Sequence, residues 1–328
     1  MTTLPSDTSF ARDGRPVLVV GGRGFVGSHV VRALVNAGAR PVLFGPPMAE
    51  DRLSGIAGRY DEIAGSIEDR ERLEAVLNES RPSAVVSCAA HGAGRLGLMR
   101  SGEAEPDAAM AVNVLGFGKL LHAARGAGVG RVVWTCSTAV YGPVSAYARE
   151  PVNEDDPPAP VTFYGLTKLL AEEVARYHAR RHGLDTVGLR LPLIVGPGLW
   201  YRGAASALAD VFDAARRDAP VRIAFHDSPV DLMHAADAAD AVVTALAHPG
   251  PLAPVYNLEG FKARLTDLVR EIGRLRPGSR IEVEPSTPAM LFPLIDGSRF
   301  RLATGFAARL DLARFVRAML EEGKATAP

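Results

Sequence analysis

Residues 17–27 read Val-Leu-Val-Val-Gly-Gly-Arg-Gly-Phe-Val-Gly, an apolar run that passes directly into a glycine-rich turn. The four apolar residues predict a buried strand, and apolar residues at helical spacing after Gly27 predict a helix that ends near Gly38. Gly21, Gly24 and Gly27 are spaced as in turns that bring the backbone close to a pyrophosphate at a helix N-terminus. This stretch therefore predicts the opening strand, turn and helix of a dinucleotide-binding fold.

Short runs of β-branched and other apolar residues continue to alternate with helical stretches further along the chain. More strands are predicted at residues 41–44, 60–64, 84–88, 131–136 and 186–191. More helices are predicted at residues 69–78, 108–126 and 164–182. Strands that alternate with helices are typical of a parallel sheet covered on both faces. The sequence therefore predicts an α/β protein with a doubly wound parallel (Rossmann) sheet.

The strict alternation ends beyond residues 196–198, Gly-Pro-Gly, where helical stretches, extended pieces and prolines follow one another irregularly. This change predicts a smaller C-terminal substrate-binding lobe. The predicted dinucleotide-binding domain comprises residues 14–196 and 228–250, and the lobe comprises residues 197–227 and 251–322. Flexible termini are expected at residues 1–13 and 323–328.

Composition and charge restrict the class of protein. Of 328 residues, 47% are hydrophobic and 23% are charged, which suffices for a large buried core. The net charge is zero, so no electrostatic field favours nucleic acid or an anionic membrane as a partner. No apolar run is long enough to span a bilayer, and Cys88 and Cys136 fall at the ends of predicted buried strands, as reduced thiols do. We therefore expect a soluble cytoplasmic enzyme with no nucleic-acid or membrane partner.

The end of the second predicted strand bears on the kind of dinucleotide. In NAD sites an acidic residue at this point accepts hydrogen bonds from the adenosine ribose, but here residues 43–46 are Leu-Phe-Gly-Pro. Arg23, inside the glycine turn, carries a guanidinium that suits the geometry of a 2′-phosphate. We therefore expect NADP or NAD as the cofactor, with a preference for NADP.

Tyr164 and Lys168 are four residues apart on a predicted helix, so they share one face of it. Removal of a hydroxyl proton while a hydride leaves for a nicotinamide requires a base beside the cofactor, and free tyrosine has a pKa of about 10. An ammonium group one turn away favours the phenolate. The spacing therefore predicts that Tyr164 is a general acid/base and that Lys168 activates it.

Further motifs stand in a consistent order along the chain. They are Gly-Ser-Ile-Glu-Asp at 65–69, Ala89-Ala90, Asn113, Ser-Thr-Ala-Val-Tyr-Gly at 137–142, and Arg190 before the Gly-Pro-Gly of 196–198. Together with the glycine turn and the Tyr-x-x-x-Lys pair, they resemble the extended short-chain dehydrogenase/reductases, the NAD-dependent epimerase/dehydratase family. The resemblance extends from the glycine turn to Asp-Gly-Ser-Arg at 296–299, nearly the whole chain.

This resemblance implies roles for individual residues. Ser137 would hydrogen-bond the reacting oxygen and complete a catalytic trio with Tyr164 and Lys168, and Lys168 would also hold the nicotinamide ribose. The implied cofactor-binding residues are Gly21, Arg23, Gly24, Phe25, Val26, Gly27, Ser66, Ile67, Ala89, Ala90, Asn113, Tyr164, Lys168 and Leu191. By analogy with the family, pairing of the Asn113 and Tyr164 helices across a two-fold axis implies a homodimer.

Departures from the family pattern narrow the activity. Family dehydratases resemble one another in an Asp-Glu pair after the catalytic hydroxyl, where this chain has Thr138 and Ala139, so dehydration is disfavoured. Sugar-nucleotide enzymes of the family place an asparagine and an arginine where this chain has Leu193 and Val230. Two expected contacts to a substrate diphosphate are therefore missing. The candidate substrate-binding residues are Arg95, Thr138, Leu193 and Arg202.

Three functions remain open at this point. The first is an NAD(P)-dependent oxidoreductase that interconverts a secondary alcohol and a carbonyl on a sugar, sugar acid or related small molecule. The second is a nucleotide-sugar 4-epimerase that retains NAD tightly. The third is a non-catalytic NADP-binding sensor, against which the intact trio argues. No metal site is predicted, because arginines surround the His178 and His182 pair.

Overall fold

A parallel sheet forms the centre of the computed structural model, which describes residues 14–203, 205–288 and 290–321. The strands, numbered along the chain, are β1 (Val17–Val20), β2 (Val42–Gly45), β3 (Asp61–Ala64), β4 (Ala84–Ser87), β5 (Arg131–Ser137), β6 (Thr186–Leu191), β7 (Leu193–Val195), β8 (Val221–Phe225), β9 (Val230–His234), β10 (Val255–Asn257), β11 (Phe261–Ala263) and β12 (Ile281–Pro285). Within the described ranges, the central sheet has seven parallel strands in the order β10-β6-β5-β4-β1-β2-β3. This order confirms the predicted doubly wound fold.

Helices cover both faces of the central sheet. The α-helices of the described chain, including those of the lobe, are α1 (Phe25–Asn36), α2 (Arg70–Ser80), α3 (Leu98–Ala104), α4 (Pro106–Met110), α5 (Phe117–Gly126), α6 (Phe163–His182), α7 (Ser206–Arg216), α8 (Ala235–Ala247), α9 (Leu265–Leu275), α10 (Ser298–Thr304) and α11 (Leu312–Glu321). α1 packs with α8 over one face, and α2, α5 and α6 pack over the other. Because both faces are covered, β1 is buried along its whole length. Among the described helices, none combines the length and the apolar character needed to cross a membrane.

Some elements differ from the predicted ones. The stretch predicted as one helix at 108–126 lies in α4 and α5, which a π-helical segment at 111–116 joins. The short helix α3 has no counterpart in the prediction. β10 pairs with β6 in the central sheet, although the sequence assigned residues 251–322 to the lobe. Three residues are too few for a periodic pattern, so this strand is defined by its partner and not by its own sequence.

The lobe has an apolar cluster of its own, built from α7, α9 and α11. Phe212, Ile272 and Phe315 are fully buried members of this cluster. β9 pairs with β7 and β11, and β8 pairs with β12. Because β7 directly follows β6 and β9 leads into α8, the lobe adjoins the carboxyl ends of the central strands. Ligands of doubly wound proteins bind at that edge.

Candidate active site

Gly21 begins the turn between β1 and α1. Its φ of +78° lies in the left-handed region that glycine favours, and its amide donates to the carbonyl oxygen of Phe44 over 2.8 Å. A Cβ atom on Gly27 would lie 2.1 Å from the carbonyl oxygen of Gly21. The turn therefore requires glycine at both positions. Because Gly24 is the N-cap of α1, no capping side chain competes with a pyrophosphate for the first helical amides.

Ser137, Tyr164 and Lys168 lie in the wall of one cavity of about 760 Å³. Ser137 ends β5, and the other two residues are one turn apart near the start of α6. Thr162 caps that helix, since its hydroxyl oxygen accepts a hydrogen bond from the amide of Gly165 over 3.1 Å. The structure thus brings the three predicted catalytic residues together, in the cavity that the glycine turn also lines.

Tyr164 and Lys168 are both buried, with only 8% and 4% of their surface exposed. The Lys168 Nζ donates to the carbonyl oxygen of Thr135 over 2.8 Å and lies 5.7 Å from the centre of the Tyr164 ring. Burial raises the pKa of the Tyr164 phenol, and a hydrogen bond with Ser137 acts in the opposite direction. Burial also lowers the pKa of the Lys168 ammonium group. Burial therefore favours the neutral form of both side chains.

Asn113 connects the loop after β4 to α6. Its Nδ2 donates to Oγ1 of Thr167 over 3.0 Å, and its Oδ1 accepts from the amide of His91 over 2.8 Å. Thr167 is fully buried next to Lys168 in the sequence. Because both ends of the Asn113 amide are engaged by the protein, this side chain fixes the position of α6 relative to the loop.

The predicted cofactor-binding residues divide into two groups. Those in the cavity wall are Gly24, Phe25, Val26, Gly27, Ala90, Tyr164, Lys168 and Leu191. Those outside the described wall are Gly21, Arg23, Ser66, Ile67, Ala89 and Asn113. Apart from Asn113, the second group follows the carboxyl ends of β1, β3 and β4. Since a dinucleotide lies along this edge, the second group extends the site from the cavity toward β3.

Arg23 is already paired with carboxylates. Its Nε and one Nη both donate to the carboxylate of Glu62, and its other Nη lies 3.9 Å from the carboxylate of Asp51. Glu62 is opposite Leu43 in the register of β2 and β3, two residues before the end of β2, and it is joined to the glycine turn through Arg23. Sequence reasoning missed Glu62 because strand register is not visible in residue order. The guanidinium expected to meet a 2′-phosphate is therefore engaged within the protein.

The predicted substrate-binding residues are only partly brought together. Thr138, Leu193 and Arg202 lie in the cavity wall, whereas Arg95 is exposed and lies outside the described wall. The amide of Arg202 donates to the carbonyl oxygen of Arg95 over 2.6 Å. The backbone of Arg95, and not its guanidinium, therefore joins the loop after β4 to the lobe. The guanidinium of Arg202 pairs with Asp210 over 2.5 Å. The structure therefore places the Arg95 side chain outside the cavity, and it places Arg202 in the wall with its guanidinium paired to Asp210.

Several wall residues were not among the candidates from the sequence. Arg100 in α3 and Asp231 in β9 are two of them. An apolar segment also lines the wall, formed by Met290, Leu291, Phe292, Pro293, Leu294 and Ile295. An apolar stretch with neither helical nor strand periodicity is the only sequence signal for this segment. The sequence signal for Asp231 is its match to the acidic residue that follows the substrate-contacting arginine in the family's sugar-nucleotide enzymes.

Comparison with known proteins gives the family. A family model described as the NAD dependent epimerase/dehydratase family matches residues 17–258. A UDP-glucose 4-epimerase from Azospirillum brasilense is 32% identical over 246 residues, which cover 71% of this chain and 68% of that protein. A UDP-glucose 4-epimerase from Rhizobium leguminosarum bv. trifolii is 34% identical over 211 residues, which cover 62% of this chain and 61% of that protein.

Solved structures have the same architecture. The UDP-glucose 4-epimerase of Thermotoga maritima with UDP-glucose matches at a TM-score of 0.83 and 22% identity, covering 95% of this chain and 99% of that one. A GalE-like L-threonine dehydrogenase from Cupriavidus necator matches at 0.79 and 24% identity, covering 93% of this chain and 99% of that one. These likenesses establish the fold alone. The family model and the sequence relatives show that this chain is an NAD(P)-dependent enzyme and belongs to the NAD-dependent epimerase/dehydratase family.

Proposed function

We propose that this protein is an oxidoreductase that interconverts a secondary alcohol and a carbonyl on a sugar, sugar acid or related small molecule. The observation that carries the proposal is that Ser137, Tyr164 and Lys168 share one cavity with the glycine turn. When bound, NAD(P) supplies the hydride acceptor or donor and, when oxidised, a positive charge beside the trio. The glycine turn, the uncapped helix start and the trio fit such a group.

The side chains divide the proton chemistry among them. In oxidation, the Oη of Tyr164 accepts the proton of the substrate hydroxyl, while the hydroxyl of Ser137 hydrogen-bonds the same substrate oxygen. The phenolate that forms favours the ammonium form of Lys168, which the Thr135 carbonyl anchors near it, and the two charges then stabilise each other. In reduction, Tyr164 returns the proton to the carbonyl oxygen. Burial of the pair excludes water from this transfer.

Two apolar residues of the cavity wall support a substrate without a diphosphate. Leu193 and Val230 both line the cavity, at the positions where the family's sugar-nucleotide enzymes have an asparagine and an arginine. Neither apolar side chain can neutralise a phosphate or donate a hydrogen bond to it. This difference favours a dehydrogenase or reductase that exchanges its cofactor in every cycle.

A nucleotide-sugar 4-epimerase with retained NAD is the second candidate. It is favoured by the sequence relatives, since both of those described above are named UDP-glucose 4-epimerase. The same trio would serve it, because epimerisation through a keto sugar begins with the same removal of a proton and a hydride. The two candidates differ in whether the cofactor leaves the protein between cycles.

The choice between NAD and NADP depends on Arg23. The predicted preference for NADP requires the Arg23 guanidinium to leave Glu62 and bind a 2′-phosphate. The negative charges of Glu62 and Asp51 would then lie close to that phosphate and repel it. We propose that the paired arrangement favours NAD. Glu62, joined to the glycine turn through Arg23, is then the acidic group of this site, since no carboxylate follows β2.

We propose that the protein forms a homodimer through the exposed surface of the Asn113 and Tyr164 helices, which the family resemblance implies as the interface. Leu115, in the π-helical segment, and Leu166 and Tyr177, in α6, expose 58%, 38% and 55% of their surface. Leu169 and Val174 of α6 instead pack against the apolar cluster on the face of the sheet that α2, α5 and α6 cover. Exposed large apolar side chains on neighbouring helices are typical of a surface that a second copy covers.

The proposed function is tested by identifying the cofactor that is released from the purified protein and titrating NAD and NADP calorimetrically into the stripped protein. Cofactor that exchanges freely, together with no binding of UDP-glucose, is the expected result. Tightly retained cofactor together with binding of UDP-glucose would instead establish the epimerase.

A further inference from the structure

Arg52 lies in the loop that joins β2 to β3, and only 7% of its side chain is exposed. Its Nη1 donates to the carbonyl oxygen of Arg23 over a long 3.4 Å, and its Nε donates to that of Gly198 over 3.2 Å. Arg23 belongs to the glycine turn before α1, and Gly198 follows β7 at the start of the lobe. One buried guanidinium therefore ties the glycine turn to the lobe. Glu50, on the same loop as Arg52, balances its charge from 3.5 Å.

The same guanidinium covers the indole ring of Trp200. Its Cζ lies 3.8 Å from the centre of that ring, a distance at which a cation is attracted to an aromatic face. Trp200 lines the cavity that also contains Gly24 and Phe25. Its ring lies 5.4 Å from that of Tyr201, which in turn lies 6.2 Å from the ring of Phe25 in the first turn of α1. Arg52 therefore holds an aromatic part of the wall next to the helix start that offers its amides to a pyrophosphate.

The backbones on both sides of this contact are anchored without the Arg52 side chain. Arg32 of α1 donates to the carbonyl oxygen of Arg52 over 2.8 Å, which fixes the loop between β2 and β3. The Nε2 of His29, also in α1, lies 3.0 Å from the carbonyl oxygen of Pro197, which fixes the base of the opposite loop. Removal of the Arg52 side chain therefore leaves both bases in place and releases the segment that carries Trp200.

The contacts given for Arg52 are all with groups of the protein, and Arg52 lies outside the described cavity wall. Its loss therefore removes no bond to a ligand inside the cavity. A contact that holds two segments together over a site governs how fast the site opens and closes. Such a contact changes the rates of ligand entry and exit more than it changes the affinity.

We infer that Arg52 is a positioning residue that controls exchange of the dinucleotide. While its guanidinium holds Trp200 and Gly198 to the glycine turn, the lobe stays closed over the start of α1. NAD(P) enters and leaves when this contact, which we call the Arg52 clamp, opens. The inference rests on the cofactor site of the proposed function and is independent of its substrate. The clamp bears on the choice between the two candidate functions, because they differ in whether the cofactor leaves between cycles.

Stopped-flow fluorescence of NADH tests the clamp. Mixing NADH with the stripped protein gives the association rate constant, and displacing bound NADH with excess NAD gives the dissociation rate constant. We expect Arg52→Ala to raise both constants about tenfold, which corresponds to a barrier lowered by about 1.4 kcal/mol. The Kd should change by less than about threefold. Loss of a direct contact with the cofactor would instead raise the dissociation rate constant alone and weaken binding.

Trp200→Leu removes the other half of the clamp and should accelerate exchange by a similar factor. Because the two side chains act as one contact, the double variant should exchange NADH no more than about twofold faster than either single variant. Arg59→Ala is the matched control. Arg59 lies on the same loop as Arg52, but it donates to the carbonyl oxygen of Val35 at the far end of α1 over 3.1 Å. Both rate constants should stay unchanged in this control.

Other outcomes distinguish the clamp from the proposed function. Unchanged rates in Arg52→Ala, a weaker Kd with an unchanged association rate, additive effects in the double variant, or equal acceleration in Arg59→Ala would each overturn the inference. If Tyr164-dependent oxidation were found together with any of these results, the proposed function would stand alone. Conversely, the expected rates without any Tyr164-dependent oxidation would refute the proposed function and leave the clamp standing. Failure of the wild type to bind either reduced nicotinamide cofactor would overturn both.

Discussion

The pKa of the Tyr164 phenol is shifted in the direction opposite to the one that the Tyr-Lys spacing predicted. From that spacing we expected the Lys168 ammonium group, one turn away, to lower this pKa. In the structure, burial raises the pKa of Tyr164, and the lysine donates to the Thr135 carbonyl instead of to the phenol. The desolvation of a buried phenolate thus outweighs the nearby cation. At neutral pH the phenol is protonated, ready to act as an acid.

The two directions of the reaction should therefore respond differently to pH. Oxidation needs the phenolate, whose fraction grows with pH while the pH is below the raised pKa. We expect kcat/KM for oxidation to rise about tenfold per unit between about pH 7 and about pH 9, and kcat/KM for reduction to stay level. Initial rates of NADH formation and consumption measure this. An oxidation rate that is flat over that range would contradict the raised pKa.

Glu62 is the residue that we expect to decide between the two cofactors. Glu62→Gln removes the negative charge that repels a 2′-phosphate and weakens the hold on Arg23. We expect calorimetry to show about tenfold tighter binding of NADPH, equivalent to about 1.4 kcal/mol, with NADH unchanged or weaker.

Asp61→Asn is the control for Glu62→Gln. Asp61 is the preceding residue on β3, and it forms a comparable surface pair with Arg40 at 2.8 Å. The ratio of NADPH to NADH affinity should not change in this variant. An unchanged ratio in Glu62→Gln as well would remove Glu62 from cofactor selection.

At the scale of elements, α6 joins Tyr164 and Lys168, the proposed catalytic pair, to the core of the sheet. One turn beyond Lys168, Glu172 pairs with Arg190 of β6 through two hydrogen bonds of 2.7 and 2.8 Å. Both side chains are only 1% exposed, and the same guanidinium donates to the hydroxyl of Tyr141 over 2.7 Å. This buried pair fixes α6 against the sheet, and with it the height of Tyr164 and Lys168 above the strand ends.

Removing one partner of this pair should be costly. Glu172→Leu leaves the Arg190 guanidinium buried without its carboxylate, and we expect the free energy of unfolding to fall by about 3–5 kcal/mol. Denaturant unfolding followed by circular dichroism measures this. Glu173→Leu, which breaks only the half-exposed contact with Arg176, should change it by less than about 1 kcal/mol. A loss in Glu172→Leu no larger than in this control would contradict the proposed anchoring.

Sequence patterns predicted the elements whose own residues show helical or strand periodicity. They missed the elements that form by pairing with segments far away in the sequence. Strands such as β1 are read directly from their apolar runs. β10 depends on pairing with β6, and the π-helical segment places Asn113 between the loop after β4 and α6, so neither has a local signature. The trio was predictable because its motifs are local. The Arg23–Glu62 pair and the contact of Arg52 with Trp200 arise from packing between distant segments.

At the scale of the whole molecule, the exposed apolar surface formed by Leu115, Leu166 and Tyr177 predicts the assembly. A charge placed in a dimer interface must be desolvated, so Leu115→Asp should shift the protein from dimer to monomer. Light scattering coupled to size-exclusion chromatography measures the mass. Leu302→Asp, at a residue of α10 that is 84% exposed and outside this surface, should leave the dimer intact. A wild-type monomer, or dissociation by both variants, would contradict this assignment.

The central claim is that the cofactor turns over through Tyr164, and counting NADH per protein molecule tests it most directly. The purified protein is given excess NAD with a panel of sugars, sugar acids and related secondary alcohols, or with UDP-glucose, and NADH and the ketone are measured together. We predict many equivalents of both from at least one secondary alcohol of this panel in the wild type, and none from Tyr164→Phe that still binds NAD. Full activity in Tyr164→Phe, or conversion of UDP-glucose to its epimer with less than one equivalent of NADH released, would contradict it.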